Sequence, residues 1–535
     1  MSDYYDLGTH SLPVTTASPA AQVWFNRGFI WCYGFNHDEA IACFEKALGH
    51  DPACAMAHWG IAYAGGPNYN KPWEAFDPLD LGKSIAASNK AIGKARVHSG
   101  TVTPLEKALI TALEARCPAK APDNMGALND AYAAAMAGVY KRFSTHPDVA
   151  ALYAEAMMNR TAWQLWDIRS GKPAPGSDAQ RIVEVLEHAM AGHGERHPGL
   201  LHMYIHTMEM SATPERALMA ADLLRGLVPD SGHLQHMPTH IDVLCGHYAA
   251  AVEWNSRAIE ADRKYVERQG PLNFYSLYRC HDYHFKIYAA MFLGQFRCAM
   301  ETTREMVASL PEELLRVESP PMADWLEAFV PTEFHVLIRF GKWEEILAKP
   351  FPADTRLFAF TTASQCYARA VAFAAVGDVA KAKTDAQAFE AVAAKVPESR
   401  KLMNNFCKDI LGVAREMMLG EIAYREADYD RAFVHLRRSV ELDDNLPYDE
   451  PWGWMQPTRH ALGALLLEQN RIEEAASVYR ADLGLDTVLP RAYQHPDNVW
   501  SLHGYYECLH RLGRKEEARM IKQQLELANA RADVP

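Results

Sequence analysis

The sequence predicts an all-α fold, a solenoid of about ten antiparallel helix pairs. Three observations predict it. Apolar and small residues recur at helical spacing, with no convincing strand alternation. A glycine followed five residues later by alanine recurs at Gly246/Ala251, Gly294/Ala299, Gly377/Ala382 and Gly513/Ala518. Proline closes units at Pro52, Pro229 and Pro311.

Residues 21–52 set the pattern. Trp24, Gly28 and Trp31 fall on one helix, and a turn follows near Gly34–His37. Ala40, Phe44 and Ala47 fall on a second helix, which Pro52 ends. Gly28 and Ala40 let the two helices approach closely while aromatic rings fill the space between them. Between 65 and 195 the pattern is irregular but helical, over Pro104–Arg116, Ala127–Phe143, Val149–Trp166 and Asp178–His193. Gly66–Pro78 and Gly171–Ser177 read as loops. Gly341–Ile346 and Asn470–Ala475 are looser copies of the turn pattern. Ala217 and Ala251 are 34 residues apart, whereas Ala432, Ala475 and Ala518 are spaced by 43.

This grammar resembles the tetratricopeptide-repeat family over most of residues 20–528. The resemblance is clearest at 21–52, 198–262, 280–311 and 456–525, and the longer spacings are a departure from a regular array. It implies one right-handed superhelical solenoid over residues 1–535. Its parts would be an N-terminal repeat region at 20–64, irregular helical repeats at 65–195, His-rich central repeats at 196–311 and C-terminal repeats at 312–528.

The 535-residue chain is 49% hydrophobic and 23% charged, an ordinary globular balance. Its formal net charge of −13 gives no overall pull toward nucleic acid or anionic membranes. The ten cysteines form no Cys-x-x-Cys pair, which argues against zinc ribbons and disulfide scaffolds. Met1–Thr16 does not read as a signal peptide and no long apolar run is present, so a cytoplasmic protein is expected.

In the tetratricopeptide family one face of each first helix lines the concave groove. The resemblance puts His202, His206 and Glu209 there in one unit, His233, His236 and His240 in the next, and His281 and His284 in a third. His335, His460 and His503 follow further along. Eleven of the 23 histidines lie between His188 and His284, where even scatter would put about four. An i, i+4 pair stacks two imidazoles one turn apart, a geometry that shares one metal ion. His202/His206 and His236/His240 are two such pairs.

The expected ligands are therefore His202, His206, His236, His240 and His281. Glu209, His233 and His284 are further ligands or acid–base groups. The cofactor expected is a divalent transition metal: copper, zinc or iron. Phe25, Phe29, Tyr33, Trp59 and Tyr63 form an aromatic run in the first units. With His460, Trp500 and His503 they are the expected contacts to a small, partly apolar or aromatic substrate. Core filling is the competing reading of that run.

Nucleotide-binding glycine loops, a His-Glu-x-x-His helix and a Gly-x-Ser-x-Gly elbow are all absent. Met203 stands where a zinc protease would carry its base. The expectation is thus a metal-dependent enzyme, oxidative rather than hydrolytic. The alternatives are a scaffold binding a peptide or protein in its groove, a zinc-dependent hydrolase, or a metal-storage protein. No nucleic-acid or membrane partner is expected.

Overall fold

A computed structural model describes residues 4–192 and 194–533. They form an all-α, tetratricopeptide-like array of antiparallel helix pairs. The first pair is Pro19–Tyr33 with His37–His50, where the Asn36 side chain caps the second helix by accepting from Glu39 N. Proline occupies the first turn of the helices starting at Pro19, Pro78, Pro104, Pro147 and Pro198, where its missing N–H costs nothing. Thr103 and Glu106 add a reciprocal capping box at Pro104–Glu114.

The turn glycines do what the repeating pattern requires. Gly246, Gly294, Gly341, Gly377 and Gly513 all adopt positive φ between paired helices. The alanines that follow are buried: Ala251, Ala299 and Ala382 are fully enclosed. Asn470 takes the same left-handed conformation in its looser copy.

Three features depart from or add to the expected pattern. First, the chain divides into two compact units. The first holds the residues up to Ile241 together with Arg257–Glu267; the second holds Asp242–Ser256 and the chain from Arg268 onward. Second, the helix expected over Val149–Trp166 ends at Met158 and passes into a 3-10 turn at Asn159–Thr161. Trp163 then sits at φ 58, a left-handed conformation that no helix continues through. Third, the segment carrying His233, His236 and His240 is not one helix. It breaks at Met237 into Gly232–His236 and Pro238–Leu244, because Pro238 supplies no N–H to the preceding turn. The helix expected to reach His193 runs over Ala179–Gly192, and His193 lies outside the described residues.

Two small antiparallel pairs, Trp166–Asp167 with Lys172–Pro173 and Lys401–Leu402 with Asn405–Phe406, are the named strands among the described residues. No described helix is long and apolar enough to cross a membrane.

Candidate metal centre

Within the first unit the helix Pro198–Met208 carries His202 and His206. His197 precedes it and accepts from Leu200 N through its ring nitrogen. Gly199 allows a close approach: a Cβ there would stand 2.4 Å from the Tyr33 ring. That contact brings the end of the first helix onto the start of this one, and the Tyr33 carbonyl lies 2.6 Å from His202 Nδ1. A carbonyl only accepts, so His202 carries its proton on Nδ1 and turns a bare Nε2 inward.

Glu209 sets two further rings. It ends the same helix, and its Oε1 accepts from His206 Nδ1 at 2.9 Å. Its Oε2 lies 3.0 Å from His240 Nδ1. One buried carboxylate therefore fixes two imidazoles with their Nε2 atoms bare. His202 Nε2 is 3.1 Å from His233 Nε2, and His236 Nε2 is 2.8 Å from His240 Nε2. His206 Nε2 is buried and has no hydrogen-bond partner. One ring nitrogen each from His202, His206 and His233 lies within 4.8 Å of the others, close enough to share one ion.

The surroundings are dry and aromatic. His202, His206, Glu209, His233 and His236 are fully buried and His240 is 1% exposed. Phe35 packs its ring 4.6 Å from His202 and 5.5 Å from His233. Tyr69 and Trp163 lie 5.1 Å and 5.7 Å from His206. Phe35 and Trp163 both hold φ near +57, a conformation that costs a non-glycine residue about 1–3 kcal/mol. Burial, with His206 beside it, holds His202 well below the ordinary imidazole range. Burial and the neighbouring His240 do the same to His206. Neutral rings are the form that binds metal.

The expected site residues divide as follows. His202, His206, His233, His236, His240 and Glu209 gather in the first unit. His281 and His284 belong to the second unit, on the helix Ser276–Phe292, where His284 packs against Phe329. The expected face is also corrected: the gathered imidazoles point into a closed interior, not an open groove.

The aromatic run is core. Phe25, Phe29 and Trp59 are fully buried, and Tyr33 and Tyr63 nearly so. Phe29 packs against Phe25, Tyr33 and Trp59 with ring centroids 5.8, 4.7 and 6.1 Å away. Tyr33 donates to Asp148 and Tyr63 to Glu155. Ring-on-ring filling of the hairpin interior leaves no face for a substrate. His460, Trp500 and His503, by contrast, line one cavity of the second unit.

Sequence reasoning missed the Tyr33 carbonyl, which has no side-chain signal. It also missed Phe35, Tyr69 and Trp163, two of which lie in the irregular stretch. A further buried cluster was missed: Asp148 accepts from His10 and His197, each at 2.9 Å, beside the Tyr33 hydroxyl at 2.8 Å.

A family model for the tetratricopeptide repeat matches residues 21–54. Comparison with curated protein sequences yields no significant match. Among solved structures the chain is similar to the APC/C hetero-tetramer Cut9–Hcn1, at 13% identity and a TM-score of 0.31, covering 95% of this chain and 87% of that one. It is similar to the human IFIT1 dimer with PPP-AAAA at 12% identity and a TM-score of 0.30, over 94% and 89% of the two chains. Similarity to Ypp1 is 9% in identity with a TM-score of 0.35, over 99% of this chain and 67% of that one.

Proposed function

We propose that this chain, a protein of the tetratricopeptide-repeat superhelical type, is a helical-repeat scaffold built around a buried transition-metal centre. His202, His206 and His233 would hold the ion through ring nitrogens. The reading rests on one observation: the partnerless, buried Nε2 of His206 lies beside ring nitrogens of two other fully buried imidazoles. His236 and His240, with Nε2 atoms 2.8 Å apart, are the place for a second ion or for additional ligands.

Three imidazoles leave a coordination position open, the arrangement of catalytic rather than structural sites. Copper, zinc and iron all accept such ligands. Glu209 already accepts from His206 and faces His240, so it is a positioning carboxylate and not a free base for a metal-bound water. That favours oxidative chemistry on a small, partly apolar molecule over hydrolysis.

The second reading is a scaffold that binds a peptide or protein and carries no metal. The repeat match at 21–54 and the paired-helix architecture favour it.

Metal analysis of untagged protein, before and after dialysis against zinc, copper and ferrous iron, decides between them. About one tightly held ion per chain, lost in His206→Ala without loss of helicity, supports the metal centre. Failure to retain any of the three ions overturns it and leaves the scaffold.

A further inference from the structure

A separate feature lies wholly within the second unit and does not depend on the metal reading. The helices Thr332–Arg339, Ala359–Ala375, Cys407–Arg425, Thr458–Glu468 and Val499–Arg511 are the first members of five helix pairs. Together with the start of Trp343–Ala348 they surround a cavity of about 450 Å³. This is the size of a pocket for a small organic molecule, within the usual range of about 300–1,000 Å³. Its wall is mainly apolar, with the rings of Trp343, Tyr367, Trp454 and Trp500 prominent.

Charge in this wall is sparse and unevenly matched. Arg425 donates to Glu421 at 2.8 Å, so that pair cancels. Arg339 remains. Its guanidinium lies 4.7 Å over the Trp500 ring, and its Nη2 donates to His460 Nδ1 at 2.7 Å. Its Nε is buried and has no partner.

The orientation of Arg339 is built in from behind. A guanidinium only donates, so His460 Nδ1 accepts and the ring's proton sits on Nε2. That Nε2 donates to Asp482 Oδ2 at 2.8 Å. Asp482 is fully buried and is also held by Ser501, His495 and Asn498. The carboxylate thus anchors His460, and His460 aims Arg339. An anchored guanidinium that lines such a cavity and is cancelled by no carboxylate in its wall is a recognition element for a carboxylate.

We propose that this cavity binds a small organic monoanion, one carboxylate on an aromatic or branched apolar body. Arg339 takes the carboxylate, and Trp343, Trp454 and Trp500 take the body. A phosphate dianion fits less well, because one uncancelled cation would leave its second charge unpaired near Glu421.

The test uses the full chain and calorimetric titration with 4-phenylbutyrate, its amide 4-phenylbutyramide, phenyl phosphate and a hexapeptide with a free C-terminus. The acid is expected to bind at least about tenfold tighter than the amide, since a charge-assisted hydrogen bond is lost. Arg339→Gln should lose about tenfold for the acid and nothing for the amide, while Arg339→Lys recovers part of the loss. If Arg339→Gln does not fold, the acid-against-amide comparison on the unaltered chain still decides. Equal binding of acid and amide overturns the proposal, as does no binding of the acid at about 5 mM. Tighter binding of phenyl phosphate overturns the monoanion choice, and tighter binding of the hexapeptide assigns the cavity to a peptide partner instead.

Discussion

His206 donates its Nδ1 proton to Glu209 Oε1 at 2.9 Å, across less than one helical turn at the end of Pro198–Met208. The other oxygen of the same carboxylate faces His240. One side chain therefore sets the tautomer of two rings that come from different helices.

Glu209→Gln should weaken metal binding without removing a ligand. A carboxamide has one accepting oxygen and one donating nitrogen, so one of the two imidazole N–H groups would face another donor. Loss of such an orienting partner costs about 10–100-fold in metal affinity. Zinc competition against a chromophoric chelator measures it. Unchanged affinity would show that the carboxylate does not tune this centre.

Phe35→Gly sets two opposed terms against each other. Relief of the left-handed backbone at φ 56 returns about 1 kcal/mol. Removing a buried ring packed on His202, His206 and His233 costs about 3–5 kcal/mol. The net expectation is a loss of about 2–4 kcal/mol in urea unfolding. A variant as stable as the parent would mean that strain, and not the ring, dominates at this position.

The repeat grammar was legible because turn chemistry is local. A helix end that needs positive φ selects glycine, and the close approach after it selects alanine, so Gly377 and Ala382 announce a hairpin by themselves. The histidine cluster was legible for a related reason: residues i and i+4 share a helical face whatever lies opposite, as with His202 and His206. What opposes that face is decided by non-local packing. Hence Phe25, Phe29 and Trp59, at the same nominal positions, turned out to be core. The break at Pro238 and the division into two units also escaped the pattern. Neither the carbonyl of Tyr33 nor the strained Trp163 has a periodic signature.

Falling pH should destabilise the second unit through His284. Burial, with His335 nearby, pulls His284 down to about 3. The unfolded chain titrates near 6.5, so below that pH the unfolded state binds a proton that the folded state refuses. The folded-state stability is full above about pH 6.5 and is lost as pH falls toward 3, by about 1.4 kcal/mol per pH unit. Urea midpoints at pH 7, 6 and 5 should fall more steeply for the parent than for His284→Gln. Parallel slopes would mean that His284 is solvated or protonated in the folded chain.

Two turn glycines with the same backbone sign should respond differently to alanine. Gly377 has φ 89, and a Cβ there meets nothing within 4 Å. Only the backbone term applies, about 1–2 kcal/mol. Gly246 has φ 79, but its Cβ would stand 2.8 Å from the Pro496 carbonyl oxygen. Backbone atoms do not yield as a flexible side chain does, so a packing penalty adds to the strain and the total reaches about 3 kcal/mol or more. Urea unfolding of Gly377→Ala and Gly246→Ala compares them directly. Gly246→Ala must be the more destabilised of the two; equal losses would mean that the approach of Pro496 to this turn is not a feature of the folded protein.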